Sequence, residues 1–300
     1  MSGVRPSGLS TDSNENVCIL FLRSASQQSN LLEIDQRTTM NATRKSWTEE
    51  ETTLALFLYF QLPFGQLHSG NPEIQKLAGI LGRSNSSVAM KLCNFASLDP
   101  KITETGRKGL QGASMQDRRI WAKFSSDWTG NVAASDRVWN SVDDEAGEHS
   151  ANLQDNVIPF AFEPYDGPST TSATIDRRIG QNFFRRAVLT NFDNVCCITG
   201  IAEPVLLNAS HIMPWGVDLK NRHNPANGLC LSATFDRAFD RGLIALDESH
   251  AVLISSSLLS HKDKETRKYF ARYQGRQISQ FKRFEPNFEF LKWHRDEIFV

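Results

Sequence analysis

Apolar residues recur at helical spacing in three stretches of the first half of the chain. Ser46-Trp47-Thr48-Glu49-Glu50-Glu51 reads as a helix start, with Ser46 or Thr48 as the cap and the acids in the first turn, where the helix dipole favours them. Leu54, Leu58 and neighbouring aromatics carry that helix through Phe60, and Pro63 and Gly65 end it. A second helix is predicted from Pro72 to Leu81, with Asn71 as cap, Ile74, Leu77, Ala78 and Leu81 as one apolar face, and Gly82 closing it. A third runs from Ser84 or Asn85 to Phe95, with Val88, Leu92 and Phe95 facing inward. Gly106, Gly109 and Gly112, then a helix over Met115–Trp128, can add a wing and a closing helix.

The pattern changes in the second half. A helix over Asp176–Phe192 is expected to bury Ile179, Phe183, Phe184, Ala187, Val188 and Leu189. Val205–His211 reads as a strand, Met213–Ala226 as a loop, and Asn227–Leu231 as a second strand. Ser232 can cap a helix holding Asp236 and Asp240. Gly242–Asp247 and Ala251–Ser255 alternate as a hairpin across Glu248-Ser249-His250. Lys262–Arg283 is basic and helical at first, and Phe288–Trp293 is apolar and should pack back on the domain.

Two stretches lack sustained periodicity. Residues 1–43 read as a disordered tail with one apolar island, Cys18–Leu22, and residues 129–170 as an acidic linker in which Val157–Phe162 can pack on a domain. The expected class is therefore α+β: a mainly helical domain at 44–128 and a strand-loop-strand-helix domain at 171–300. Net charge is −1, which selects no partner, but its distribution does. Eleven basic face eight acidic side chains in 44–128, one faces eight in 129–170, and eighteen face fourteen in 171–300. Two mildly basic blocks flanking an acidic spacer suit contact with a polyanion. Five cysteines at irregular spacing, with no signal peptide, point to free thiols in a reduced cytoplasm. No stretch approaches the ~20 apolar residues of a membrane span, so no membrane partner is expected. A homodimer is left open.

The segment LAGILGRSNSSVAMKL resembles DNA-binding helix-turn-helix segments, and with the glycine-rich stretch a winged-helix arrangement. A plain helical hairpin is the alternative. Under the resemblance, Asn85, Ser86, Ser87 and Asn94 reach base edges or phosphates, and Arg83 and Lys91 meet phosphates.

The run ASHIMPW…NPANGLCLSATFDRAFDRGLI resembles the HNH, or ββα-metal, endonuclease family, in particular its bacterial restriction-type branch. The resemblance implies a two-strand-plus-helix fold around one divalent metal, Mg²⁺ or Mn²⁺. It matches His211 to the general base, Asn227 to the residue that orients that His or the loop, and Asp236 to the metal-binding position. Asp240 either joins the metal or pairs with an arginine such as Arg241. The chemistry is consistent: a histidine near neutrality takes a proton from water, a hard cation neutralises charge on the phosphate, and Asn fixes geometry without adding charge. Ser210 stands where relatives often have an acid or His, and Phe235 where many have His. Cys196, Cys197 and Cys230 cannot supply the four ligands of a structural zinc, so none is expected. The expected function is a metal-dependent endonuclease acting on double-stranded DNA, with a restriction or defence role and a possible response to modified bases. The alternative is a non-cleaving DNA-binding regulator with a degenerate HNH fold.

Overall fold

In the computed structural model, residues 45–106, 109–145 (backbone only from 141) and 180–300 are described. The expectations for residues 1–43, for Val157–Phe162 and for the helix start at Asp176 lie outside them.

Helix α1 (Glu49–Gln61) begins in a capping box: Thr48 Oγ1 accepts from the Glu51 amide (3.2 Å) and Glu51 Oε2 accepts from the Thr48 amide (3.0 Å). Every residue from Leu54 to Gln61 is buried. A helix apolar on all sides has to be enclosed. The enclosing helices are α2 (Pro72–Leu81), α3 (Asn85–Ala96), α5 (Met115–Ser126), α6 (Trp128–Glu145) and α7 (Gln181–Asn191), with a one-turn α4 (Pro100–Thr103) between α3 and α5. Asn71 caps α2, and Ser84 caps α3. Gly82 ends α2 at φ +58°, a left-handed conformation that favours glycine.

Two stretches differ from the sequence reading. The expected linker begins as α6, which buries Trp128, Val132, Ser135, Asp136 and Trp139 on one face. The Asp136 carboxylate accepts from the Gly180 amide at the start of α7 (3.1 Å). Where a wing was expected, there is no strand among the described residues of 98–128. Instead, the chain at Gly109 lies so close to the end of α3 that an added Cβ would fall 2.3 Å from the Ser97 amide nitrogen.

The second half is mixed helix and small sheets. Strand β1 (Leu207–His211) pairs antiparallel with β2 (Gly228–Ser232), from Leu207 opposite Ser232 to His211 opposite Gly228. Helix α8 (Ala233–Asp240) follows directly, and α7 packs across both strands. An alanine Cβ at Gly228 would fall 2.4 Å from Val188 Cγ2 and 2.8 Å from Phe184 Cζ, so glycine is what lets α7 lie this close. The hairpin of β3 (Ile244–Leu246) and β4 (Val252–Ile254) turns on Asp247, whose Oδ1 accepts from the Ser249 and Ala251 amides. Helices α9 (Ser256–Leu259), α10 (Lys264–Ala271) and α11 (Phe288–Glu297) complete the chain. No helix among the described residues is long and apolar enough to cross a membrane.

The described residues from 48 onwards form one unit by their internal contacts. The helical half and the mixed half share aromatic packing: the Phe57 ring stacks on Phe183 (5.0 Å), and Phe60 meets Phe284 (5.4 Å). Polar ties reinforce it. Arg283 donates to the Tyr59 carbonyl (2.6 Å), lies over the Tyr59 ring (4.2 Å) and pairs with the buried Asp99 (3.4 Å).

On α11, the buried His294 stacks on Phe239 (3.7 Å between ring centres) and donates from Nε2 to the Phe239 carbonyl (3.1 Å). Its Nδ1 is buried without a hydrogen-bond partner among the described residues, and burial pushes the pKa down to about 4. A group with a depressed folded pKa contributes stability above its unfolded pKa and loses it as pH falls. Unfolding free energy should therefore drop by roughly 3 kcal/mol between pH 6.5 and pH 4 from this residue. Denaturant melts of His294→Gln, which keeps a donor but cannot be protonated there, should show a flatter profile over that window; an unchanged slope would place the acid sensitivity elsewhere.

Candidate nuclease site

His211 ends β1, Asn227 precedes β2, and Asp236 and Asp240 lie one turn apart on α8. The antiparallel register brings the last residue of β1 opposite the first of β2, so the two ends of the 212–227 loop meet. Asn227 clamps them. Fully buried, it accepts at Oδ1 from the Met213 amide (2.8 Å), donates from Nδ2 to the Met213 carbonyl (3.1 Å), and its own carbonyl accepts from the Ile212 amide (2.9 Å). Asn is the residue for this task because its amide both donates and accepts, as a peptide group does. Farther along the loop, Asp218 accepts from the Lys220 and Asn221 amides.

His211 is held on two sides. The Phe184 ring of α7 stacks on it at 3.9 Å and 6°, and Trp215 meets it edge-on at 5.6 Å. Its Nε2 lies 2.9 Å from the Arg222 carbonyl. A carbonyl only accepts, so Nε2 carries the proton and, in the neutral ring, Nδ1 carries the lone pair. Burial lowers the His211 pKa, partly opposed by the Arg222 carbonyl and by the charge of Asp236. The imidazole is therefore neutral, and basic at Nδ1, at neutral pH.

Asp236 is partly buried, and its Oδ2 accepts from Asn208 Nδ2 across from β1 (2.7 Å). Asp240 has a pKa raised to about 6, first by desolvation of its carboxyl and then by the Asp236 charge; Arg237 and Arg241 oppose this. It makes no ion pair with Arg237 or Arg241 among the described residues. Two carboxylates that repel, beside a neutral imidazole, suit a hard cation that keeps water and phosphate as its other ligands. Among the described residues, no group of three or more His, Cys, Asp or Glu side chains is gathered to cage an ion.

Ser210 and Phe235 both lie in the core. Ser210 is buried with its Oγ unpartnered among the described residues, and Phe235 is fully buried against Tyr269, Phe270 and Tyr273. Ser232 occupies the N-cap position of α8, but its side chain makes no capping bond. Cys196, Cys197 and Cys230 are buried free thiols, and burial pushes Cys230 up to about 12.

The residues expected to meet DNA on α3 are placed differently from one another. Lys91 is buried and ion-paired with the buried Asp117 (2.7 Å), and Arg83 pairs with Glu51 (2.6 Å) with little exposure. Both expected phosphate contacts are therefore taken up inside the helical half: each cation is matched by an acid distant in sequence. Asn85 and Ser86 are exposed; Ser87 and Asn94 are partly covered, with Asn94 close to Gly112.

Three contributors to the site carry no local signal of their own. The Arg222 carbonyl is backbone. Asn208 reads as an ordinary strand residue until β1 faces α8. Phe184 belongs to an apolar stripe, and only the crossing of α7 over β1 shows that its ring covers His211. Residues 196–247, which contain all four expected catalytic and metal residues, match the family model described as HNH endonuclease. Comparison with curated proteins gives no match to the chain.

Asn227→Ala should cost about 2–3 kcal/mol by leaving the Met213 amide and carbonyl without partners. It should also open the loop to trypsin at Lys220 or Arg222. Limited proteolysis with mass spectrometry reads this; a variant as resistant as wild type would show that the clamp is not what holds the loop.

Proposed function

We propose that the HNH endonuclease domain carried by residues 196–247 cuts double-stranded DNA, with His211 as general base and Asp236 as the chief metal anchor. The observation that supports this most directly is the arrangement of His211. Its Nε2 is committed to a carbonyl, its Nδ1 makes no hydrogen bond among the described residues, and its lowered pKa keeps that nitrogen unprotonated. Such an imidazole takes a proton from a water that attacks phosphorus in line with the departing oxygen. Asn208 fixes the Asp236 carboxylate, and Asn227 fixes the loop whose Arg222 carbonyl orients the imidazole. Asp236, helped by Asp240, would hold a divalent cation, Mg²⁺ or Mn²⁺, which when bound supplies positive charge to the phosphate and the leaving oxygen.

The alternative, a degenerate, non-cleaving fold, rests on Ser210 and Phe235. Both are buried, and Phe235 packs against Tyr269, Phe270 and Tyr273; the retained His211, Asn227 and Asp236 favour the cleaving reading. Contact of α3 with DNA rests on Asn85 and Ser86, with little help from the engaged Arg83 and Lys91. A restriction role and a preference for modified DNA rest on resemblance; digestion of unmodified, methylated and hydroxymethylated duplexes tests both.

His211→Ala should lower the cleavage rate at least a hundredfold while leaving DNA affinity and thermal stability near wild type. Asp236→Asn should weaken metal dependence and rate together, with partial recovery at high Mn²⁺. Wild-type cleavage by His211→Ala would remove that residue from the mechanism. In the wild type, the acidic limb of kcat/KM should lie below the ordinary histidine value of 6.5, because the active form is the deprotonated one and its pKa is lowered. A limb centred above 6.5 would contradict the assignment.

A further inference from the structure

Helix α7 carries two consecutive phenylalanines that face different halves of the protein. Phe183 stacks on Phe57 of α1 at 5.0 Å and 20°, and both rings are buried. Phe184 stacks on His211 at 3.9 Å and 6°. Successive helical residues point about 100° apart, so one helix can hold a ring in each of two cores. Neither ring has room to drift. Phe184 fills the space left by the missing side chain of Gly228, the residue paired with His211 in the strand register.

The ends of α7 are tied to both halves as well. Gly180, before its first turn, donates to Asp136 of α6 (3.1 Å). Thr190, in its last turn, donates to the Gln61 carbonyl at the end of α1 (3.1 Å). Asn191 accepts at Oδ1 from the Arg283 and Phe284 amides and donates to the Phe284 carbonyl. Arg185 reaches the other way, donating to the Leu207 carbonyl at the start of β1 (2.9 Å). A rigid element packed on both sides transmits a shift at one face to the other, because close-packed rings cannot deform independently.

We infer that Phe184 is a positioning residue for His211, and that the α1 helix sets its placement through the Phe57–Phe183 stack, so that the helical half is a working part of the nuclease site. This rests on the reading of His211 as general base. The helical half thus has a role that does not require it to touch DNA. Any ligand that shifts the Phe57 ring would be felt at the imidazole.

The test compares Phe184→Leu, Phe57→Leu and Phe95→Leu in the full chain. Phe95 is equally buried in the helical half, but its ring partners are Tyr59 and Trp121, not α7. It therefore controls for loss of stability alone. Phe184→Leu should lower kcat on a plasmid substrate about tenfold or more with KM nearly unchanged, as expected for misplacement of a catalytic group. Phe57→Leu should lower kcat several-fold in the same direction, and Phe95→Leu should not, when all are assayed well below their melting temperatures.

A second readout does not depend on cleavage or on Phe184→Leu folding. In wild-type protein the His211 ring protons should be shifted upfield by the stacked Phe184 ring, and Phe57→Leu should change that shift while Phe95→Leu leaves it alone. Unshifted His211 protons, or equal effects of Phe57→Leu and Phe95→Leu on the resonances, would overturn the inference. Full cleavage by His211→Ala would instead overturn the assignment of the base, and the ring shifts would still report on the brace.

Discussion

The side chain of Asn227 bonding both the amide and the carbonyl of Met213 is the constraint on which the candidate site depends. One carboxamide replaces a peptide partner and closes the 212–227 loop as a further rung of the β1–β2 ladder. The closure has two consequences. It sets His211 at the end of a strand whose register is fixed, and it holds the loop so that the Arg222 carbonyl meets Nε2 of that histidine. The proton is thereby assigned to one nitrogen and the lone pair to the other. Asn227 need not touch substrate to matter.

Around this clamp, burial does the electrostatic tuning. His211 lies between aromatic rings, and its imidazolium is disfavoured there, which keeps the base free at neutral pH. On α8 the opposite shift arises: desolvation of the Asp240 carboxyl, and after it the charge of Asp236 one turn away, raise its pKa to about 6. A divalent cation held there, as proposed, would relieve that repulsion. The proposed base and the proposed cation anchor are thus shifted in opposite directions.

Much of this organisation is legible in the sequence because local signals carry it. Asn71-Pro72 and Gly82 bound α2, Thr48 with Glu51 starts α1, and alternation places β3 and β4. The order of His211, Asn227 and Asp236 on strand, strand and helix carries the family resemblance, and the match at 196–247 agrees. What could not be read is what depends on distant partners. Lys91 and Arg83 look like surface cations until Asp117 and Glu51 fold against them. The first part of the acidic stretch lacks a clear apolar period, yet α6 buries Ser135 and Asp136 along with Trp128, Val132 and Trp139. Phe183 and Phe184 read as one stripe, although α7 sends them into different cores.

The proposed activity is hydrolysis of DNA at a metal-assisted site. Incubation of the purified full chain with supercoiled plasmid, in separate arms with Mg²⁺, Mn²⁺ and excess EDTA, tests it most directly. Conversion to nicked or linear DNA is expected in at least one metal arm and none with EDTA. Plasmid that is bound, as shown by gel shift, yet stays supercoiled in every arm would contradict it and leave a DNA-binding protein with an inactive nuclease fold.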